Sequence, residues 1–169
     1  YGDDLDNFPP IILTVSGGFG ASVGLDLEVI LESWRQELGI IVEIQQTEFA
    51  TYLQDLHKGR FQMFEAGWIA DYPDPHNFLD VLFHSEAENN VGRYASAGFD
   101  ALVEEARVSQ DPKERLPLYN QAEALLVDDA AAIPLVFGRS YLVVKPYVRD
   151  LVLTPLGRMD LGQTTLAGR

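Results

Sequence analysis

Hydrophobic residues in the first part of the chain follow two alternating patterns. Three short apolar runs predict strands, at 11–15, 40–44 and 61–64. Between them, apolar residues recur at helical spacing and predict two helices, at 22–38 and 48–58. In the second helix one apolar stripe is expected to be buried, made of Phe49, Leu53 and Leu56. The order strand, helix, strand, helix, strand favours right-handed crossovers, so we predict an α/β fold with a mostly parallel sheet and flanking helices.

The stretch from Gly67 to Pro75 fits neither pattern. Its two prolines, Pro73 and Pro75, forbid a helix and a central strand, so it is predicted to be a rigid loop. The loop follows the third strand and therefore lies at a carboxyl end of the sheet, where ligands of parallel sheets usually bind. An aromatic wall from Trp68 and a carboxylate from Asp71 would suit an ammonium group. The alternative is that Trp68 belongs to the core and Asp71 only caps the turn.

The second half of the chain first predicts helices and then strands. Asn77 can cap a short helix that ends at Phe83, and a second helix covers 96–108. Asp111 and Pro112 are suited to the cap and first position of a third helix. The buried stripe of that helix is predicted to contain Leu118, Tyr119, Ala122, Leu125 and Leu126. Short β-like runs follow at 135–137, 141–144 and 151–153.

Composition narrows the possible partners. The chain has 169 residues with 47% hydrophobic content, enough for one domain with a real core. It carries 26 Asp and Glu against 12 Lys and Arg, a formal charge of -14, which makes nucleic acid a poor partner. The absence of cysteine excludes disulfides, thiolate metal sites and cysteine nucleophiles.

Positive sequence evidence for catalysis is absent. Asp71, Asp74 and His76 lie close together and allow a metal-dependent hydrolase as one hypothesis. Capping, turn and surface roles account for most such Asp and His residues, and we predict no catalytic residue, no metal site and no cofactor. The histidines His57 and His84 are interpreted as ordinary surface residues.

The loop and its flanks carry a resemblance to a known family. The stretch from Phe61 to Leu79, with Gly-Trp-Ile-Ala-Asp-Tyr-Pro-Asp-Pro at its centre, resembles the oligopeptide- and dipeptide-binding receptors of ABC importers, family 5 of the extracellular solute-binding proteins. Flanking pieces agree in order and spacing, at 34–40, 90–94, 99–100, 115–119, 133–135 and 145–148. The resemblance implies a periplasmic-binding-protein-like lobe with a C-terminal β-rich extension.

The resemblance also implies residue roles. The aspartate that matches Asp71 pairs with the free amino terminus of a peptide, and the backbone at Gly67 and Ile69 hydrogen-bonds the peptide as an added strand. Trp68 would wall a side-chain pocket, and Tyr72 completes the expected set of ligand-binding residues. At the position of Glu65, some relatives have a basic residue that helps to hold the peptide carboxylate. That contact is not expected in this chain.

The resemblance further implies that the chain is one piece of a longer receptor. Residues 1–140 would form the C-terminal ligand-binding lobe, and residues 141–169 would cross back to the other lobe. The expected partners are a small peptide and an ABC permease, with the membrane reached only through an anchor or the permease. The receptor would be a monomer at the periplasmic or extracellular face of the membrane. Oligosaccharides and metal complexes, which some members of the family bind, are alternative ligands.

Overall fold

The computed structural model describes residues 8–17, 24–135, 139 and 141–168. The chain divides into two compact units, Tyr1–Trp68 and Ile69–Arg169. Each unit has its own cluster of buried apolar side chains. Within the described residues, no helix is long and apolar enough to cross a membrane.

The first unit contains the predicted parallel sheet. Its elements are β1 (Ile11–Ser16), α1 (Leu25–Leu38), β2 (Val42–Thr47), α2 (Phe49–His57) and β3 (Met63–Phe64). The strand order is β2-β1-β3, and β1 pairs parallel with both neighbours. Leu13 lies opposite Ile44 on one side and Met63 on the other. The α/β prediction and the alternation of strands and helices are therefore confirmed.

The core of the first unit forms around the central strand. Leu13 and Val15 of β1 are buried together with Leu27 of α1. Gly39 ends α1 in the left-handed conformation, with φ of 69°, as its position after the helical stripe indicated. The predicted start of this helix at Ser22 lies outside the described residues.

The predicted buried stripe of α2 is wrong in two of its three positions. Phe49 and Leu53 are 61% and 39% exposed, whereas Tyr52 and Leu56 are buried. The Tyr52 ring stacks on Phe61 at a centroid distance of 5.1 Å. Its hydroxyl donates a hydrogen bond to the Glu65 carbonyl oxygen. This polar contact with the chain beyond β3 orients the helix, and apolar spacing alone does not reveal it.

The second unit is mainly helical. A 3₁₀ helix at Pro75–Asn77 leads into α3 (Leu79–Phe83), followed by α4 (Ala97–Val108) and α5 (Pro112–Asp128). Ser96 and Asp111 cap α4 and α5 through their side chains, so these helix starts are confirmed. The buried cluster joins all three helices and comprises Leu79, Phe99, Val103, Ala106, Tyr119, Ala122 and Leu126. Leu118 and Leu125 pack against it partly buried, which confirms the stripe predicted for α5.

The C-terminal part of the second unit contains short strands, as predicted, and the predicted run at 151–153 includes one of them, Val152–Leu153. Its described residues form four two-residue strands, β4 (Val148–Arg149), β5 (Val152–Leu153), β6 (Met159–Asp160) and β7 (Thr165–Leu166). They form two antiparallel pairs, β4 with β7 and β5 with β6. The run at 141–144 forms no strand and is exposed, and the run at 135–137 lies partly outside the described residues. The predicted division near Ser140, itself outside the described residues, stays a prediction.

Candidate functional site

In the first unit, the candidate site begins where β3 ends. The Glu65 N–H donates a hydrogen bond to the Thr14 carbonyl oxygen of β1 at 3.3 Å, which continues the sheet pairing one residue beyond β3. Gly67 is exposed, and a Cβ added at this position would meet no atom within 4 Å apart from those of its chain neighbours. Trp68 is 38% exposed and is not part of the buried cluster of its unit. Position 67 therefore has room for a Cβ, and Trp68 is not a buried core residue.

In the second unit, the loop from Ile69 to Pro75 is framed by local hydrogen bonds. The Asp71 N–H donates to the Asn77 side-chain oxygen at 3.1 Å, and the Asp74 N–H donates to the Tyr72 carbonyl at 2.9 Å. Asn77 is almost fully buried. Our prediction that Asn77 caps the short helix is wrong, because its side chain instead holds the backbone of Asp71.

The same loop is fixed to the helices by a bidentate ion pair. The two Arg115 terminal nitrogens lie 2.7 and 2.8 Å from the Asp74 carboxylate oxygens. Arg115 also donates from Nε to the Ala106 carbonyl at 3.1 Å, and its guanidinium lies 4.9 Å from the centre of the Tyr119 ring. The Arg115 hydrogen bonds hold the pKa of Asp74 below its usual value, against the opposing effect of burial. Asp74 is therefore an ionised anchor of the loop.

Among the described residues, Asp71 lacks the ion pair, the carboxylate hydrogen bonds and the partial burial that hold Asp74. Its side chain is exposed. Within the part of the chain that the structure describes, the Asp71 carboxylate accepts no hydrogen bond and forms no ion pair. The turn-capping role considered for Asp71 belongs to Asp74, whose Oδ1 accepts from the His76 N–H at 2.9 Å. Asp71 thus presents a carboxylate to solvent on a backbone that Asn77 holds.

Two further predicted site residues lie in this loop. Ile69 is 85% exposed, which leaves its surroundings open. Tyr72 is 39% exposed, and its hydroxyl lies 2.6 Å from Nδ1 of His76. The structure therefore places Ile69, Asp71 and Tyr72 in one framed loop of the second unit, whereas Gly67 and Trp68 end the first.

Two of the three residues in the metal hypothesis, Asp74 and His76, have other partners. Asp74 is paired with Arg115, and His76 contacts Tyr72 and lies 3.6 Å from Asp80. Across residues 8–17, 24–135, 139 and 141–168, no group of three His, Cys, Asp or Glu side chains has an arrangement able to hold a metal ion.

Two polar groups of the second unit were missed or misjudged. His84 is buried, so its prediction as a surface residue is wrong. Its polar atoms have partners: Nδ1 accepts from the Glu86 N–H, and Nε2 lies 3.1 Å from Glu104. Asp80 is only 6% exposed and accepts two hydrogen bonds from Arg107, at 2.8 and 2.9 Å. For Asp80, the only signal in the sequence was the position of an acidic residue inside the apolar stretch of α3.

Comparisons with known proteins agree with this architecture. The model of the bacterial extracellular solute-binding proteins, family 5 (middle), matches residues 2–90. The periplasmic oligopeptide-binding protein OppA of Salmonella typhimurium is 36% identical over 115 residues, 68% of this chain and 21% of the relative. The probable deoxycholate-binding periplasmic protein YgiS of Escherichia coli has the same identity and coverage.

A solved structure extends the likeness to the fold. The periplasmic binding protein DppA of Helicobacter pylori, in complex with the peptide STSA, superposes with a TM-score of 0.63 at 30% identity, covering 75% of this chain and 25% of that one. The chain thus spans about a fifth of the length of the curated relatives named above. The agreement of sequence and fold concerns this segment only.

Proposed function

Because this chain belongs to the family 5 bacterial extracellular solute-binding proteins, we propose that it is the part of a longer receptor that captures peptides by their free amino terminus for an ABC importer. The names of the relatives support peptide as the ligand class, since OppA is an oligopeptide-binding protein and DppA was solved with STSA. The relatives are binding proteins, so we propose capture and release without turnover.

The exposed carboxylate of Asp71 is the observation that carries this proposal. Its backbone N–H is held by the buried Asn77, and the loop is pinned through Asp74 to Arg115. A peptide ammonium offers three donors and one positive charge, and a carboxylate is an acceptor of matching charge. Because the loop is already framed, little conformational entropy remains to be lost when the ion pair forms.

Main-chain contacts would add affinity without demanding a particular sequence. We propose that the backbone at Gly67 and Ile69 pairs with the peptide as an added strand, supported by the exposure of both residues. Trp68 and Tyr72 would contact peptide side chains with their partly exposed rings. The exposed Glu65 carries a negative charge and supports no contact with the peptide carboxylate.

The wider setting of the receptor is proposed on the same basis. Residues 1–140 would form the ligand-binding lobe, and 141–169 would cross to the other lobe. The exposure of Tyr141 and Val143, at 85% and 90%, supports packing partners in another part of the receptor. The periplasmic relatives support a location outside the cytoplasm. We further propose that the receptor is a monomer and meets the membrane only through a permease or an anchor.

Calorimetry on the complete receptor tests the role of Asp71. A short peptide is compared with its N-acetylated form, for the unmodified receptor and for Asp71→Asn. We expect the free-amine peptide to bind more tightly by about 2–5 kcal/mol, and Asp71→Asn to remove most of that preference. Glu88→Gln removes another exposed carboxylate and serves as the control. Equal affinity for both peptide forms in the unmodified receptor would refute capture by the amino terminus.

The deoxycholate-binding relative supplies a second candidate function. Its 36% identity equals that of the oligopeptide-binding relative, so a steroid carboxylate is a specific alternative. The two ligands predict opposite effects of the same substitution. Asp71 would repel an anionic steroid, so Asp71→Asn would tighten deoxycholate binding, whereas it would weaken peptide binding.

Three alternative functions remain, and each has a direct assay. They are binding of a sugar, binding of a metal complex, and metal-dependent hydrolysis. Calorimetry of the complete receptor with a panel of oligosaccharides and metal complexes measures the first two. An assay for ester or peptide hydrolysis with added divalent metals measures the third, and turnover there would contradict capture and release.

A further inference from the structure

A chain of polar side chains connects the candidate loop to a buried ion pair in the second unit. The Tyr72 hydroxyl lies 2.6 Å from His76 Nδ1. The other ring nitrogen, Nε2, lies 3.6 Å from Asp80 Oδ2. Asp80 is 6% exposed and is held by two hydrogen bonds from Arg107. His76 therefore stands between a partly exposed hydroxyl and a carboxylate fixed in the core.

This arrangement selects one tautomer of neutral His76. A neutral imidazole has one N–H donor and one acceptor nitrogen. The ionised Asp80 cannot donate a hydrogen bond, so it favours the hydrogen on Nε2 and leaves the lone pair on Nδ1. With Nδ1 as acceptor, the Tyr72 O–H must donate to His76. The hydroxyl hydrogen is then directed toward His76, and the remaining lone pairs of the oxygen are left for another partner.

We propose that His76 is a positioning residue that makes the Tyr72 hydroxyl a hydrogen-bond acceptor for an N–H donor of the ligand. The inference rests on the proposed function, because it assumes that a peptide amine or amide reaches this loop. Tyr72 would then act beside Asp71 as a second, uncharged acceptor. A ligand that carries acceptors there, and no N–H donor, gains nothing from Tyr72.

The test compares three variants of the complete receptor at pH 7. Tyr72→Phe removes the hydroxyl, His76→Phe removes both ring nitrogens, and His76→Asn keeps an acceptor near the position of Nδ1. Calorimetry measures the affinity for a free-amine peptide. Far-UV circular dichroism checks the folding of each variant.

We expect Tyr72→Phe and His76→Phe each to weaken binding about five- to tenfold at pH 7, as for loss of one hydrogen bond, and the double variant to weaken it no further. His76→Asn should stay within a few-fold of the unmodified receptor.

The outcomes separate this inference from the proposed function. If the receptor prefers free-amine over N-acetylated peptide at pH 7, but Tyr72→Phe binds normally or His76→Asn binds as weakly as His76→Phe, the positioning role is wrong and amine capture stands. If the receptor shows no amine preference at all, both are wrong. If the role of His76 were purely structural, the acceptor that His76→Asn restores would not recover the affinity.

Discussion

Replacement of Asp74 by Asn is the most direct test of how the loop is anchored. The substitution keeps an oxygen that can accept the cap hydrogen bond from the His76 N–H, but it removes the charge that pairs with Arg115 at 2.7 and 2.8 Å. The Asp74 and Arg115 side chains are 30% and 22% exposed, between a surface and a buried pair. Surface pairs contribute about 0–1 kcal/mol, and breaking a buried pair costs about 3–5 kcal/mol. We therefore expect Asp74→Asn to lower the free energy of unfolding by about 2 kcal/mol.

The pH dependence of this loss provides a second, independent check. The pKa of Asp74 is lowered in the folded state, chiefly by the Arg115 hydrogen bonds. A lowered folded-state pKa contributes stability above the unfolded value of 3.8, and this contribution is lost as the pH falls through the folded value. The difference in stability between the unmodified chain and Asp74→Asn should therefore be full near pH 7 and shrink progressively below about pH 4.

Urea denaturation followed by far-UV circular dichroism measures the effect. Trp34 and Trp68 both lie in the first unit, so tryptophan fluorescence would report on the wrong part of the chain. Asp71→Asn is the matched control, because it makes the same chemical change on an exposed carboxylate of the same loop. The reasoning is refuted if the two variants are equally stable, or if the loss in Asp74→Asn remains undiminished at low pH.

Three further predictions concern the rest of the fold. Phe99→Ala should destabilise the second unit by about 3–5 kcal/mol, since the ring is fully buried, and circular dichroism in urea measures this loss. Tyr52→Phe should cost about 1 kcal/mol by removing the hydrogen bond to the Glu65 carbonyl, measured by tryptophan fluorescence in urea, and an unchanged midpoint would contradict it. Gly39→Ala should destabilise by about 1 kcal/mol because of its positive φ, whereas Gly98→Ala in α4 has only an ordinary contact at 3.5 Å and should be neutral or stabilising in parallel melts.

Local patterns predicted the elements of the fold well. Apolar periodicity located β1, α1 and the helices α4 and α5, because the spacing of their apolar residues is visible within a few positions along the chain. The prolines and the aromatic residues of 67–75 marked the candidate loop for the same reason. The start of β2 was less well placed, since the predicted run at 40–44 begins before the observed strand at Val42.

Contacts between distant residues were beyond the reach of these patterns. Arg115 and Asp74 are 41 positions apart, and Arg107 and Asp80 are 27 apart. Nothing in the spacing of apolar residues indicates which of many acidic and basic side chains will pair across such distances. The buried position of His84 was missed for the same reason, because its partner Glu104 is 20 positions away.

The two aspartates of the loop separate structural support from the proposed contact with the ligand. Asp74 carries the cap and the ion pair, and Asp71 carries neither of them. A substitution at position 71 can therefore alter the charge offered to a ligand while the loop keeps its conformation. Such a position is open to evolutionary change and to protein engineering, since new specificities can be explored there at little cost to folding. On the proposed function, an exchange of Asp71 for asparagine, serine or arginine would be a practical first library for redirecting the complete receptor toward neutral or anionic ligands.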